Sequence, residues 1–177
     1  MELGARVCKP RNPLCDECPI NIECQAYALG NQAERPVRKP KAAIPLHYMA
    51  AAVIQTGDHV ILRQRPQEGL LGGMWEYPNV RIVERGSGEA AARRLRESVA
   101  EELGLQIQVD SQVAELKHVY THFRVNLKAY HCRLLPESAR LRERRSSRLV
   151  PLNKLGDYPM GKLDRQISQQ VSKEITE

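Results

Sequence analysis

The sequence contains no apolar run near the ~20 residues that a membrane-spanning helix needs. Its start, Met1 to Arg11, holds no long apolar segment, which argues against a secretory signal. Internal repeats and long low-complexity tracts are also missing, which excludes solenoid and fibrous architectures. These absences point to a globular chain in a reducing, cytoplasmic setting, where free thiols and thiolate ligands persist. What is present fits that class: 177 residues, 42% hydrophobic and 27% charged. Such a length suits one ordinary domain plus an appendage, and a core that needs no disulfides. The formal net charge is +6, with 27 Lys and Arg residues. A basic surface favours a polyanionic partner such as nucleic acid, although many basic proteins have none.

Composition divides the chain into three regions. Residues 1–32 hold four of the five cysteines. Residues 33–45 carry three prolines and four basic residues with little to bury, and read as an extended basic linker. Residues 46–177 read as a mixed α+β domain. Leu46–Gln55 and Val60–Arg65 flank a Thr56-Gly57-Asp58 turn and predict a hairpin. Gly69–Gly73 predicts a flexible loop before a short strand at Met74–Tyr77. A helix is predicted over 89–103, where Ala92, Leu95, Val99 and Leu103 recur at helical spacing and Gly104 follows. Leu105–Val109, Ala114–Val119 and Val125–Leu135 predict strands, and Pro136–Arg148 a surface loop. A last helix from Lys162 carries the stripe Leu163, Ile167, Val171 and Ile175. Trp75 and Cys132 lie in strand-like apolar patterns and are expected in the core.

The cysteines follow the spacing Cys8-x6-Cys15-x2-Cys18-x5-Cys24. Four thiolates complete either a zinc site or an iron–sulfur site. Structural zinc sites usually bring two close pairs, and only one close pair occurs here. Pro10, Pro13 and Pro19 punctuate the segment, as suits a loop wrapped around a cluster. Disulfide pairing is the third option, and a reducing compartment disfavours it. The spacing resembles the iron–sulfur loop of the endonuclease III-type DNA glycosylases. That resemblance implies a 4Fe-4S cluster of structural and redox-capable character, held by Cys8, Cys15, Cys18 and Cys24. It also implies that Lys9 and Arg11, between the first two ligands, meet DNA phosphates through nonspecific, salt-sensitive contacts.

Further along, Glu97-Ser98-Val99-Ala100-Glu101-Glu102-Leu103-Gly104-Leu105 resembles the second half of the Nudix box. Trp75-Glu76-Tyr77-Pro78 resembles the stretch common before that box, and Glu89 falls at its upstream glutamate. The resemblance implies a Nudix-like (MutT-like) mixed sheet flanked by helices, preceded by the small cluster loop. Three positions depart from the pattern. Ser98 stands where a carboxylate is expected, Glu97 where arginine is, and Val83 where the opening glycine is. Positions 98, 101 and 102 share one helix face. In active Nudix hydrolases that face binds the Mg²⁺ that activates water. A hydroxyl is a poor ligand for a hard cation, so the fold is expected without the hydrolase, Glu101 and Glu102 remaining as surface or structural acids.

A cluster loop, a basic linker and a degenerate Nudix-like domain together resemble the C-terminal part of the A/G-specific adenine DNA glycosylases, the MutY type. Gly69-Leu70-Leu71 and Lys117-His118-Val119-Tyr120-Thr121-His122-Phe123 also fit that family. The resemblance implies duplex DNA containing 8-oxoguanine as partner. It gives the lesion-reading turn to Tyr120, Thr121 and His122, with His118 a weaker candidate just before it. Oxidation turns guanine N7 from an acceptor into an N–H donor and adds an acceptor at C8, an edge that a hydroxyl can test. The family's catalytic acids lie in an N-terminal helical domain that flips out the adenine. Only seven residues precede Cys8, with no helix–hairpin–helix motif and no candidate catalytic aspartate, so no catalytic residue is assigned. Met1–Ala5 resembles the end of a family helix rather than a natural start, so the chain is expected to be a truncated piece, a split product or the product of a fragment gene, unable to excise adenine alone. Two alternatives stand beside this reading. One is a Nudix-type nucleotide pyrophosphohydrolase with an accessory metal module, and the other a protein-interaction module.

Overall fold

The structure is a computed structural model, and it describes residues 2–37, 43–83, 88–136, 138 and 146–174. Two compact units result, Met1–Ala43 and Ile44–Glu177.

The first unit has two short helices, α1 (Glu2–Arg6) and α2 (Gln25–Ala28). Three 3-10 turns complete it, at Cys15–Glu17, Asn21–Glu23 and Gln32–Glu34. The last turn occupies the start of the predicted linker, whose residues 38–42 lie outside the described ones. No side chain among residues 2–37 is buried.

The second unit is a seven-stranded mixed sheet with a helix on each face. Its strands are β1 (Leu46–Thr56), β2 (His59–Gln64), β3 (Trp75–Glu76), β4 (Asn79–Ile82), β5 (Ile107–Val119), β6 (Arg124–Leu134) and β7 (Ser147–Pro151). Helix α3 spans Gly88–Leu103 and α4 spans Lys162–Glu174. β1 is the axis. One edge runs parallel to β6 from Leu46↔Arg124 to Gln55↔Arg133, and antiparallel pairings join β1 to β2 and to β4. β5 closes antiparallel on β6, and β7 and β3 pair with β2.

Side chains alternate across a strand, so β1 feeds two cores. Ala51 and Val53 face a cluster with Leu163, Ile167 and Val171 of α4. Ala50, Ala52 and Ile54 face Ala91, Leu95 and Val99 of α3. A strand covered on both faces needs a continuous apolar run, and Ala50–Ile54 supplies it.

The predicted hairpin, the predicted helix at 89–103 and the helix from Lys162 all form. Leu163, Ile167 and Val171 of the last stripe are buried, and Ile175 lies outside the described residues. Trp75 and Cys132 are buried as expected, and burial pushes the Cys132 thiol up to about 12.

Three readings are corrected. Leu105–Val109 and Ala114–Val119 belong to one strand, because irregular register between Val109 and Ala114 carries the polar Asp110-Ser111-Gln112. Arg133 bonds both Asp110 carboxylate oxygens there, at 2.7 and 3.0 Å. Gly69–Gly73 is a bonded turn rather than a loose loop: Gln64 Nε2 donates to the Gly73 carbonyl at 2.8 Å. At Gly72 a Cβ would stand 2.1 Å from the Gln67 carbonyl oxygen, so the glycine answers to close approach. Finally, the Pro136–Arg148 loop ends early, since Ser147 and Arg148 already belong to β7, and residues 137 and 139–145 lie outside the described ones.

Candidate nucleic-acid interface and cysteine site

Residues 120–123 join β5 to β6. The Tyr120 N–H donates to the Phe123 carbonyl at 2.8 Å and closes the connection. Thr121 and His122 are thereby exposed at its tip. Beneath them the rings form a small stack. Tyr120 lies 4.7 Å from Phe123, tilted at 32°, and His118 meets Tyr120 edge-on at 4.6 Å and 89°. His47 of β1 also packs against Phe123, at 5.2 Å and tilted by 36°. Tyr120 and Phe123 also pack against the α4-side core, so the turn stands on a packed base. The structure brings Tyr120, Thr121, His122 and His118 together.

A cavity of about 140 Å³ opens beside the turn, with Tyr120, Phe123, His47, Arg65, Glu76 and Asp164 among its walls. Asp164, at the start of α4, is 9% exposed and accepts the Tyr77 N–H at 3.1 Å. Burial pushes its carboxyl up to about 7, the Tyr77 N–H and Arg65 pulling the other way and Glu76 adding to the rise. The Tyr77 hydroxyl, raised by burial to about 12, meets Ser168 at 3.1 Å.

The helix face that carries the Nudix-like signature is engaged internally. Arg63 of β2 bonds Glu102 through Nη1, and Glu76 through Nη2 at 2.6 Å. Arg65 bonds the other Glu76 oxygen at 2.7 Å. The Ser98 hydroxyl donates to Glu102 at 3.3 Å. Glu97 turns outward to Arg94 at 2.6 Å. One carboxylate of the face is therefore bound to a guanidinium, and a hydroxyl stands at the first position.

In the first unit, Cys8, Cys15, Cys18 and Cys24 line one cavity of about 370 Å³, with Val7, Leu14 and Tyr27 among its other walls. None of the four forms a disulfide. Among the described residues no three His, Cys, Asp or Glu converge closely enough to hold a single metal ion. Four thiols around one cavity are a donor set of the kind that iron–sulfur and zinc sites use. Burial, then the charges of Cys24 and Cys8, hold the Cys15 thiol above its ordinary value, which a cationic cluster would relieve. The Tyr27 hydroxyl donates to Asp16 at 2.9 Å and ties α2 to the loop. Lys9 and Arg11 are exposed on the same loop.

Arg63, Arg65, Glu76, Asp164, His47 and Phe123 escaped the sequence reading as site residues. Glu76 alone had a legible signal, an acid between two aromatic residues in a strand.

Residues 49–170 match the profile of the NUDIX domain, and the chain belongs to that family. Residues 8–21, which include three of the four cysteines, match the iron–sulfur binding domain of endonuclease III. Within this frame the chain resembles the adenine DNA glycosylases. It is 25% identical to the adenine DNA glycosylase of Arabidopsis thaliana over 146 residues, which is 70% of this chain and 23% of that protein. The chain thus spans about a quarter of that relative's length. The C-terminal domain of mouse MUTYH, solved in complex with human PCNA, shares the fold with a TM-score of 0.59 at 18% identity, covering 73% of this chain and 90% of that one. A MutT protein from Methanosarcina mazei does so with a TM-score of 0.63 at 17% identity, covering 77% of this chain and all of that one, 100%.

Proposed function

We propose that this chain is the lesion-recognition and cluster-bearing C-terminal portion of an adenine DNA glycosylase of base excision repair. Its partner is duplex DNA carrying 8-oxoguanine opposite adenine. The observation that carries the reading is the Tyr120–Phe123 turn, whose exposed Thr121 and His122 stand on a packed aromatic base. The Thr121 hydroxyl accepts from the N7–H that only the oxidised base presents; towards an undamaged N7, itself an acceptor, the same hydroxyl would have to turn and donate instead. Tyr120 gives an aromatic face, His122 a second polar group, and His118 props Tyr120.

In the first unit, Cys8, Cys15, Cys18 and Cys24 hold a 4Fe-4S cluster, and Lys9 and Arg11 contact phosphates. The cluster supplies fixed geometry to the loop and an electron-transfer centre. The bonding of Arg63 to Glu102 and the hydroxyl of Ser98 favour recognition over Mg²⁺-dependent pyrophosphate hydrolysis on the Nudix face.

The test is fluorescence anisotropy of the full chain on duplexes that differ only in 8-oxoguanine against guanine opposite adenine. Tighter binding of the oxidised duplex is expected. Thr121→Ala should reduce the preference by about fivefold to tenfold, the worth of a net hydrogen bond of about 1–1.5 kcal/mol. Equal affinity for both duplexes in the wild-type chain would sink the proposal.

A further inference from the structure

The α3 side of the sheet extends past the helix. On that face, pairs directly across β1, β6 and β5 form rows. Leu46, Arg124 and Val119 make the outermost row, and Tyr48, Asn126 and Lys117 the next. Side-chain alternation puts both rows on the face that carries Ala50, Ala52 and Ile54. The helix residues Ala91, Leu95 and Val99 cover those three. The outer rows instead line an open depression of about 610 Å³. Leu46 is 39% exposed and Val119 is 64% exposed.

Charge in these rows has one sign. Lys117 is exposed and has no bond or ion pair among the described residues. Arg124 is exposed; its guanidinium donates to a neutral group, the Ile44 carbonyl, at 3.3 Å, and its backbone N–H to the Pro45 carbonyl at 2.8 Å. The nearest acid in register, Glu115, lies one row further in and accepts from Asn126 at 3.0 Å. Both cations flank the 120–123 turn in sequence, one on each strand that it joins. A strand rises ~3.3 Å per residue, so they stand within roughly 15 Å of the turn tip.

We infer that this uncovered end of the sheet seats the sugar–phosphate backbone of duplex DNA beside the turn, with Lys117 and Arg124 as its phosphate contacts. The inference rests on the proposed reading that the turn meets duplex DNA. Single-sign charge selects an anionic occupant, and continuity with the turn selects the strand that runs past the lesion. Leu46 and Val119 offer apolar contact to the deoxyribose rings. Phosphate contacts fix register and carry no sequence information, so the seat and the turn divide the work.

The experiment measures binding of the full chain to undamaged and 8-oxoguanine duplexes across a salt series. Each neutralised phosphate contributes about 0.9 to the slope of log K against log salt. The double variant Lys117→Ala/Arg124→Ala should flatten the slope by about 1.8 on both duplexes and leave their affinity ratio unchanged. Lys154→Ala/Lys173→Ala removes the same charge from the α4 side and should leave the slope intact. Lys117→Arg/Arg124→Lys keeps the charges and should keep the slope, which separates lost contacts from lost folding. An unchanged slope in the first variant, or equal flattening in the α4-side variant, would overturn the inference. Failure of lesion reading shows instead in the affinity ratio of the wild-type chain, a separate readout.

Discussion

Residues 2–37 and residues 44–174 are ordered by different physics. In the first segment no side chain is buried, and Ile20, Ile22 and Leu29 are 54%, 93% and 73% exposed. In the second, two cores close on opposite faces of one sheet around Tyr77, Leu95 and Ile167, all essentially inaccessible. Ordering a backbone costs about 1–2 kcal/mol per residue, and apolar burial is the usual offset. The first unit lacks that offset, and the proposed ligation of its four thiols would supply one. On this contrast, the cysteine loop and the Nudix domain are expected to fail independently.

The largest test of that comparison is Cys18→Ser. Iron and sulfide content should fall to near zero, and residues 2–37 should become sensitive to limited proteolysis. The urea transition of the second unit should move by less than about 0.5 kcal/mol. Loss of both units together would break the comparison. The converse change is Leu95→Ala, which empties a fully buried site between α3 and the sheet. It should destabilise the second unit by about 2–5 kcal/mol in urea unfolding while iron content stays constant.

Asp164 sharpens the contrast through pH. Its carboxyl titrates at about 7 when folded, against 3.8 when free. A folded value above the unfolded one means the folded state holds the proton longer. Its contribution is thus complete below about pH 4 and is lost as pH rises towards and through 7. Asp164→Asn keeps an acceptor for the Tyr77 N–H and removes the ionisation. Urea midpoints should show the variant gaining up to about 4 kcal/mol over wild type at pH 8, and little at pH 4. The smallest effect belongs to Glu97→Ala. Its partners Arg93 and Arg94 are exposed, so thermal melting should register less than about 1 kcal/mol.

Much of the second unit was legible because its signals are local. Ala92, Leu95 and Val99 mark α3 by spacing, and Ala50–Ile54 marks a strand buried on both faces. β7 escaped because Ser147–Pro151 carries little pattern of its own and is fixed by pairing with β2 far away in sequence. β4 is short and half-exposed. The polar Asp110-Ser111-Gln112 hid the continuity of β5, since an irregular ladder tolerates what a regular one does not. At the sites, the cysteine spacing and the 120–122 turn were visible as sequence. The Arg63, Glu76 and Glu102 network and the carboxyl of Asp164 were not, because both depend on contacts between strands and helices distant along the chain.

The most direct test of the central claim is backbone-amide chemical-shift mapping of the full chain on titration with duplex DNA. With 8-oxoguanine opposite adenine, Tyr120 to Phe123 should shift strongly, and Lys117 and Arg124 should shift with either duplex. With guanine in the same position, the turn should stay near its free values. Identical shifts at the turn for both duplexes, or shifts confined to residues 98–102 of α3, would contradict lesion reading by this turn.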